Sequence, residues 1–217
     1  MALSGSFTGT TNNTMITPKI VWSATQSASG NYSTVTATLY YSRTNTGYTT
    51  YGSGSFSLTI NGNTKSVSNT ITITYNSNTQ AITHTVQVPH SADGTKKVTI
   101  SATGGLPGTS FTSTSISSTV TLNTIPRAST ITSASNITLG NKCSIKWTPA
   151  TKTFTYKLKF SLGNWNYTTD VIKPNTTAAY TYDQYTIPIY VAEWISSTKT
   201  TGEMTATLYS YSGDTKL

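Results

Sequence analysis

Phe56-Ser57-Leu58-Thr59-Ile60-Asn61-Gly62 sets an apolar side chain at every second position and stops at an Asn-Gly pair. Period two is the signature of a half-buried β-strand. Asn-Gly is the pair that suits a two-residue hairpin, because both central residues of its turn need positive φ. The run therefore predicts a strand, a tight turn, and a return strand opened by Val67, with Ile71, Ile73 and Tyr75 alternating in the next run. The same pattern extends outward. Val35, Ala37, Leu39 and Tyr41 alternate with Thr36, Thr38 and Tyr40. Ile82, His84, Val86 and Val88 share a face, and Pro89 ends that strand because it cannot donate to a ladder. Asp93-Gly94 turns into Val98, Ile100 and Ala102; Gly104-Gly105-Leu106-Pro107-Gly108 reads as a loop; Ile116, Val120 and Leu122 close the half.

Thr124-Ile125-Pro126-Arg127 reads as a boundary, since proline stiffens a short linker and breaks a ladder. The second half restarts with Ile131, Ile137 and Leu139, then turns at Gly140-Asn141. Cys143, Ile145 and Trp147 share a face, as do Phe154, Tyr156, Leu158 and Phe160. Tyr180 with Tyr182, and Met204 with Ala206 and Leu208, give further strands. Ile187 to Ile195 lacks alternation and is the place for one short helix. The expectation is an all-β chain of two consecutive antiparallel β-sandwich domains, 1–125 and 126–217. Thr36-Ala37-Thr38-Leu39-Tyr40-Tyr41-Ser42 echoes Thr205-Ala206-Thr207-Leu208-Tyr209-Ser210-Tyr211-Ser212. Five residues follow the second copy, which leads us to expect that the chain continues beyond Leu217 to cover an open edge.

Only 9% of the residues are charged, against about 25% in ordinary domains. Serine, threonine and asparagine must supply the wet surface, which suits an extracellular or virion setting. The net charge of +8 comes from few acids and thinly spread bases. Lys142, Lys146, Lys152, Lys157 and Lys159 would scatter over both faces of strands, so nucleic acid is not an expected partner. The charge is also compatible with weak attraction to an anionic polymer such as a bacterial wall. The single cysteine, Cys143, excludes an internal disulfide and any Cys/His zinc motif, and reads as a buried thiol. Met1-Ala2-Leu3-Ser4-Gly5-Ser6 is not a secretory signal, and no apolar run approaches a membrane span. An exterior-type composition without an export signal fits a protein made in host cytoplasm and released by lysis.

Catalysis finds little purchase. A glycosidase needs two carboxylates at a set separation, and residues 1–125 hold one acid, Asp93, in its turn. Asp170, Asp183, Glu193, Glu203 and Asp214 are scattered. His84 reads as a core or rim histidine and His90 as a solvated one. We expect no enzyme activity, no metal and no cofactor. Glycan contact is the live reading, because sugar rings stack their C–H faces on exposed aromatics while amides and hydroxyls take their oxygens. Tyr40, Tyr41, Tyr48 and Tyr51 stand around Arg43 and Asn45, and Trp165 stands between Asn164 and Asn166 after a glycine. Tyr41, Trp22 and Trp147 fall on apolar faces. The candidate contacts are therefore Tyr48, Tyr51 and Trp165, read as loop residues, the first two in a loop from Thr44 to Gly54. Asn12, Asn31, Asn136, Asn166 and Asn175 begin Asn-x-Ser/Thr sequons that bacterial synthesis would leave unmodified.

Ile20-Val21-Trp22-Ser23 with Gly30-Asn31-Tyr32-Ser33, then Val88-Pro89-His90-Ser91-Ala92-Asp93-Gly94-Thr95-Lys96, then Thr124-Ile125-Pro126-Arg127-Ala128-Ser129, resemble a family of tailed-phage minor structural proteins from Gram-positive hosts. Phe154-Thr155-Tyr156-Lys157-Leu158 and Ile195-Ser196-Ser197 resemble the Ig-like domain that follows in that family. The resemblance implies a jelly-roll-like then an Ig-like sandwich. It also implies a virion tail or tail-tip location and leaves the binding partner open. Our own expectation is several copies per particle, with other tail proteins as partners and host-wall polysaccharide as a further one. Two other settings compete: a secreted carbohydrate-binding module of a bacterial surface protein, and the non-catalytic part of a wall hydrolase.

Overall fold

The structure is a computed structural model of the 217-residue chain and describes every residue except Ser196. That residue, inside the Ile195-Ser196-Ser197 stretch, lies outside the described residues. Strands take up 55% of the chain and helix 3%, so hydrophobic burial here is almost wholly a matter of sheet faces. The chain divides into two compact units, Met1–Ile125 and Pro126–Leu217.

The N-terminal unit has nine strands: β1 (Ser4–Thr8), β2 (Thr10–Thr11), β3 (Ile16–Ser27), β4 (Tyr32–Arg43), β5 (Thr50–Ile60), β6 (Asn63–Ile73), β7 (Thr79–Pro89), β8 (Lys97–Gly105) and β9 (Thr114–Thr121). They form a sheet of order β1-β3-β4-β7 and another of order β2-β9-β8-β5-β6. The chain reaches the two-residue β2 by stepping from one sheet to the other at Gly9. A Cβ on Gly9 would strike Ser115 and Ile116, so the step needs glycine.

The β5–β6 hairpin forms as its sequence dictates. Ile60 pairs Asn63, with Asn61 at φ 50 and Gly62 at φ 82, the two positive values a type I′ turn requires. Inward faces of both sheets meet in one core that includes Ile20, Trp22, Val35, Leu39, Tyr41, Phe56, Leu58, Ile60, Ile73 and Ile100. Outward faces carry hydroxyls that pair across strands: Ser53 with Thr70, Ser57 with Ser66, Thr59 with Thr64, Thr38 with Thr83 and Thr99 with Thr119. These pairs replace the missing charges as the water-compatible coat.

Side chains of β6 cover the free edge of β7. The Lys65 ammonium donates to the Thr83 carbonyl at 3.0 Å, and His84 Nε2 lies 2.9 Å from Asn63 Oδ1. Covering an edge in this way keeps it from templating aggregation. A bulge between Leu39 and Tyr40 leaves Ala81 unpaired, so both Ala81 and Ile82 are buried.

Two local readings need correction. Gly104 and Gly105 belong to strand β8, and the loop begins at Leu106. His90 is buried, not solvated. Its Nδ1–H donates to the Gly94 carbonyl at 2.7 Å, and in that tautomer Nε2 accepts the Ser33 hydroxyl at 2.7 Å. The Gly94 carbonyl also accepts the Ile125 N–H at 2.9 Å. The imidazole thus ties β4, the 91–95 turn and the last residue of the unit together, which is why a polar ring is tolerated there.

The C-terminal unit holds β10 (Ile131–Ala134), β11 (Ile145–Trp147), β12 (Thr155–Leu162), β13 (Trp165–Thr168), β14 (Tyr180–Tyr182), β15 (Thr205–Ser212) and β16 (Thr215–Lys216). The segment without alternation forms a 3-10 helix, Ile189–Trp194. Sheet orders are β10-β11-β14 and β13-β12-β15-β16. Tyr156, Leu158 and Phe160 on β12 are fully buried with Cys143, Ile145 and Trp147. Burial pushes the Cys143 thiol up from its ordinary range. Among the described residues no helix is long and apolar enough to cross a membrane.

Candidate functional site

Arg43, the last residue of β4, anchors one end of the N-terminal unit. It is 7% exposed. Its Nε–H donates to Asn45 Oδ1 at 3.1 Å, and Nη1 donates to the Thr50 hydroxyl. The loop 44–49 is therefore wound around the guanidinium and delivered into β5. Gly47 at φ 84 makes the reversal. The Arg43 carbonyl accepts the Asn76 N–H, and Arg43 bridges Tyr75 through the backbone. Thr44 bonds Met15 through N–H to carbonyl at 3.0 Å. Behind them, Asn12 Oδ1 accepts the N–H groups of Thr112 and Ser113 and fastens the 106–113 loop to the same end.

This arrangement leaves Tyr48 and Tyr51 each 67% exposed, with Tyr75 and Met15 exposed beside them. Tyr51 is a strand residue: β5 begins at Thr50, so the loop is shorter than the Thr44–Gly54 span read from sequence. Tyr75 is a second correction. The strand ends at Ile73, and the turn after it carries Tyr75 off the apolar face that Ile71 and Ile73 keep. Tyr40 is half-buried on the outer face, and Tyr41 is wholly buried.

Trp165 does not belong to this class. The hairpin turn is Gly163-Asn164, one residue earlier than its flanking asparagines suggest, and Trp165 opens β13 opposite Leu162. A one-residue shift moves a side chain to the other face of a sheet. Trp165 is accordingly 9% exposed, packed inward with Leu162.

The floor under the loops is aromatic. Tyr41 lies 4.9 Å from Phe111 and 5.8 Å from Phe56, ring centre to ring centre. Its hydroxyl pairs with that of Thr114 at 2.8 Å. Burial pushes the Tyr41 phenol up to about 12, the Thr114 hydrogen bond pulling slightly the other way. A folded-state value above the unfolded one stabilises the fold below pH about 10 and withdraws that support as pH rises through about 12. Urea melts between pH 8 and 11.5 should show the wild type losing about 2 kcal/mol more than Tyr41→Phe. Parallel losses in the two proteins would show that the Tyr41 phenol is not what titrates.

A hydroxyl–imidazole pair exists at Ser33 and His90, yet Ser33 is fully buried and the ring is oriented by a carbonyl. Asp93, in the adjacent turn, accepts from the Thr95 N–H and hydroxyl, which hold its carboxyl below the usual range. Among the described residues, no group of three or more His, Cys, Asp or Glu is placed to hold a metal.

The fold and this site define a β-sandwich protein that presents aromatic-bearing loops from a rigid scaffold, the usual division of labour between loops and sheets. The family described as "Siphovirus protein of unknown function (DUF859)" matches residues 19–217, and the chain belongs to it. It is a phage protein. No curated protein matches the chain.

Proposed function

We propose that this is a non-enzymatic structural protein of the virion, carried on the tail or tail tip in several copies, that touches host-wall polysaccharide through the loop end of its N-terminal unit. The observation that carries the reading is the pair Tyr48 and Tyr51, standing in solvent. Other aromatics of the same unit, Trp22, Phe56 and Phe111, are buried in the core. Exposed tyrosines beside Asn45 and a coat of hydroxyls offer both a stacking face and hydrogen-bond partners to a sugar. In the C-terminal unit the first, second and fifth strands face the fourth, third, sixth and seventh. That order supports an Ig-like module.

Binding per copy is weak in this reading, because two rings contribute little net free energy, and many copies on one particle raise it by avidity. The test is a pull-down on purified host walls with a multimerised chain. Wild type should be retained, and Tyr48→Ala plus Tyr51→Ala should be lost to the supernatant. Equal retention of both would remove the loop from the mechanism.

A purely architectural role is the second reading. Ile189, Tyr190 and Trp194 on the 3-10 helix are all exposed, and Tyr and Trp are the residues that anchor protein interfaces. Loss of particle assembly, with wall binding unaffected, in Tyr190→Ala plus Trp194→Ala would favour it.

A further inference from the structure

We infer that the loop end reads an oxyanion, a phosphate or carboxylate borne on the polymer, through Arg43. The inference rests on the glycan reading above and adds the charge of the ligand. Arginine, unlike lysine or histidine, stays charged when buried. A buried charge is costly unless something opposite compensates it. The partners of Arg43 are neutral, the Asn45 amide and the Thr50 hydroxyl. No carboxylate of this unit can serve. Asp93 is the only acid in residues 1–125. It belongs to the turn after β7, beside Tyr32 at the start of β4, where Tyr32 pairs Pro89 and Asn31 donates to the Ser91 carbonyl. Arg43 stands at the other end of that 12-residue strand, about 35 Å away at the usual rise.

The guanidinium is thus oriented by two neutral acceptors at the root of the loop that carries Tyr48, with its counter-charge left to come from outside. A forked donor of this kind suits a planar carboxylate or a phosphate. The exposed rings at Tyr48 and Tyr51 would take the sugar or polyol to which the anion is attached.

The test supplies the missing counter-charge from within. Asn45→Asp places a carboxylate where an amide oxygen already accepts from Arg43. The free variant should melt at higher temperature than wild type, which also shows that it folds. Soluble poly(glycerol phosphate), polygalacturonate and neutral dextran are then titrated into the full chain at fixed ionic strength. Wild type should bind at least one anionic polymer better than dextran, and which one distinguishes phosphate from carboxylate. Asn45→Asp should weaken that binding about tenfold, the worth of one charge-assisted contact. Lys65→Gln, which removes an equal charge from β6, should leave it unchanged. Equal weakening by Lys65→Gln, undiminished binding by Asn45→Asp, or no preference of wild type for either anion would overturn the inference. Failure of the wall pull-down with these results intact would sink the host-wall reading and leave the anion site standing.

Discussion

Gly105→Ala is expected to destabilise the N-terminal unit by about 4 kcal/mol or more, at the extreme of single substitutions. The reason is space. A Cβ on Gly105 would overlap the carbonyl of Thr112, and one on Gly54 would overlap the carbonyl of Gly105. Strand β5, the end of β8 and the 106–113 segment are stacked there backbone against backbone. None can retreat cheaply: Ser55 pairs Gly105 in the ladder, and the Leu106 N–H donates to the Phe111 carbonyl at 2.7 Å. Gly108→Ala is the control. That residue sits at φ 81 with nothing near its missing Cβ, so alanine there should cost only the left-handed penalty, about 1 kcal/mol. Hydrogen exchange over residues 1–125, read against urea, measures both. Similar small costs at the two positions would mean that the stack is looser than drawn.

That stack also carries the candidate site. Thr50, which takes the Arg43 donor, lies four residues before Gly54 on β5, and Phe111, which floors the tyrosines, lies in the 106–113 segment. Loosening at Gly105 should therefore also disturb the loop end, and wall binding should fall with stability in Gly105→Ala but not in Gly108→Ala.

Sequence periodicity reached the sheet faces because a strand's period is two and its buried side is chemically distinct. Phe56, Leu58 and Ile60 could face only one way, and Asn61-Gly62 could make only one kind of turn. It failed where one residue of register decides the face. Trp165 looks like a turn residue because asparagines flank it, yet Gly163-Asn164 makes the turn. Tyr75 extends an alternating run by one step that the backbone does not take. His90 looks solvated beside Pro89 and Ser91, yet Ser33 and Gly94, which satisfy it, come from another strand and from the far side of a turn. Among the site residues, Tyr48, Tyr51, Arg43 and Asn45 were visible as neighbours in sequence. That Arg43 is buried among neutral groups was not, because burial at a sandwich end depends on loops that meet only after the sheets have paired.

Leu158→Ala should cost the C-terminal unit about 2–5 kcal/mol, the range for emptying a buried leucine site. Leu158 is fully buried, as are Tyr156 and Phe160 on the same face of β12. The strand is interior to its sheet, paired to β13 on one side and β15 on the other, and Leu158 sits opposite Leu208. The Leu158 N–H donates to the Thr169 hydroxyl at 3.0 Å, so the backbone is pinned from outside the ladder as well. Tyr156 is held against Trp147 at 5.5 Å between ring centres. Rigid rings locked this way close poorly over a void, which places the expected cost in the upper half of the range. Lys157→Ala, next along the strand and on the opposite face, should change stability by less than about 0.5 kcal/mol. Urea melts of the two variants compare adjacent residues on opposite faces of one strand. A loss under about half a kcal/mol for Leu158→Ala, or equal losses for both, would show that the period-two assignment of β12 is wrong.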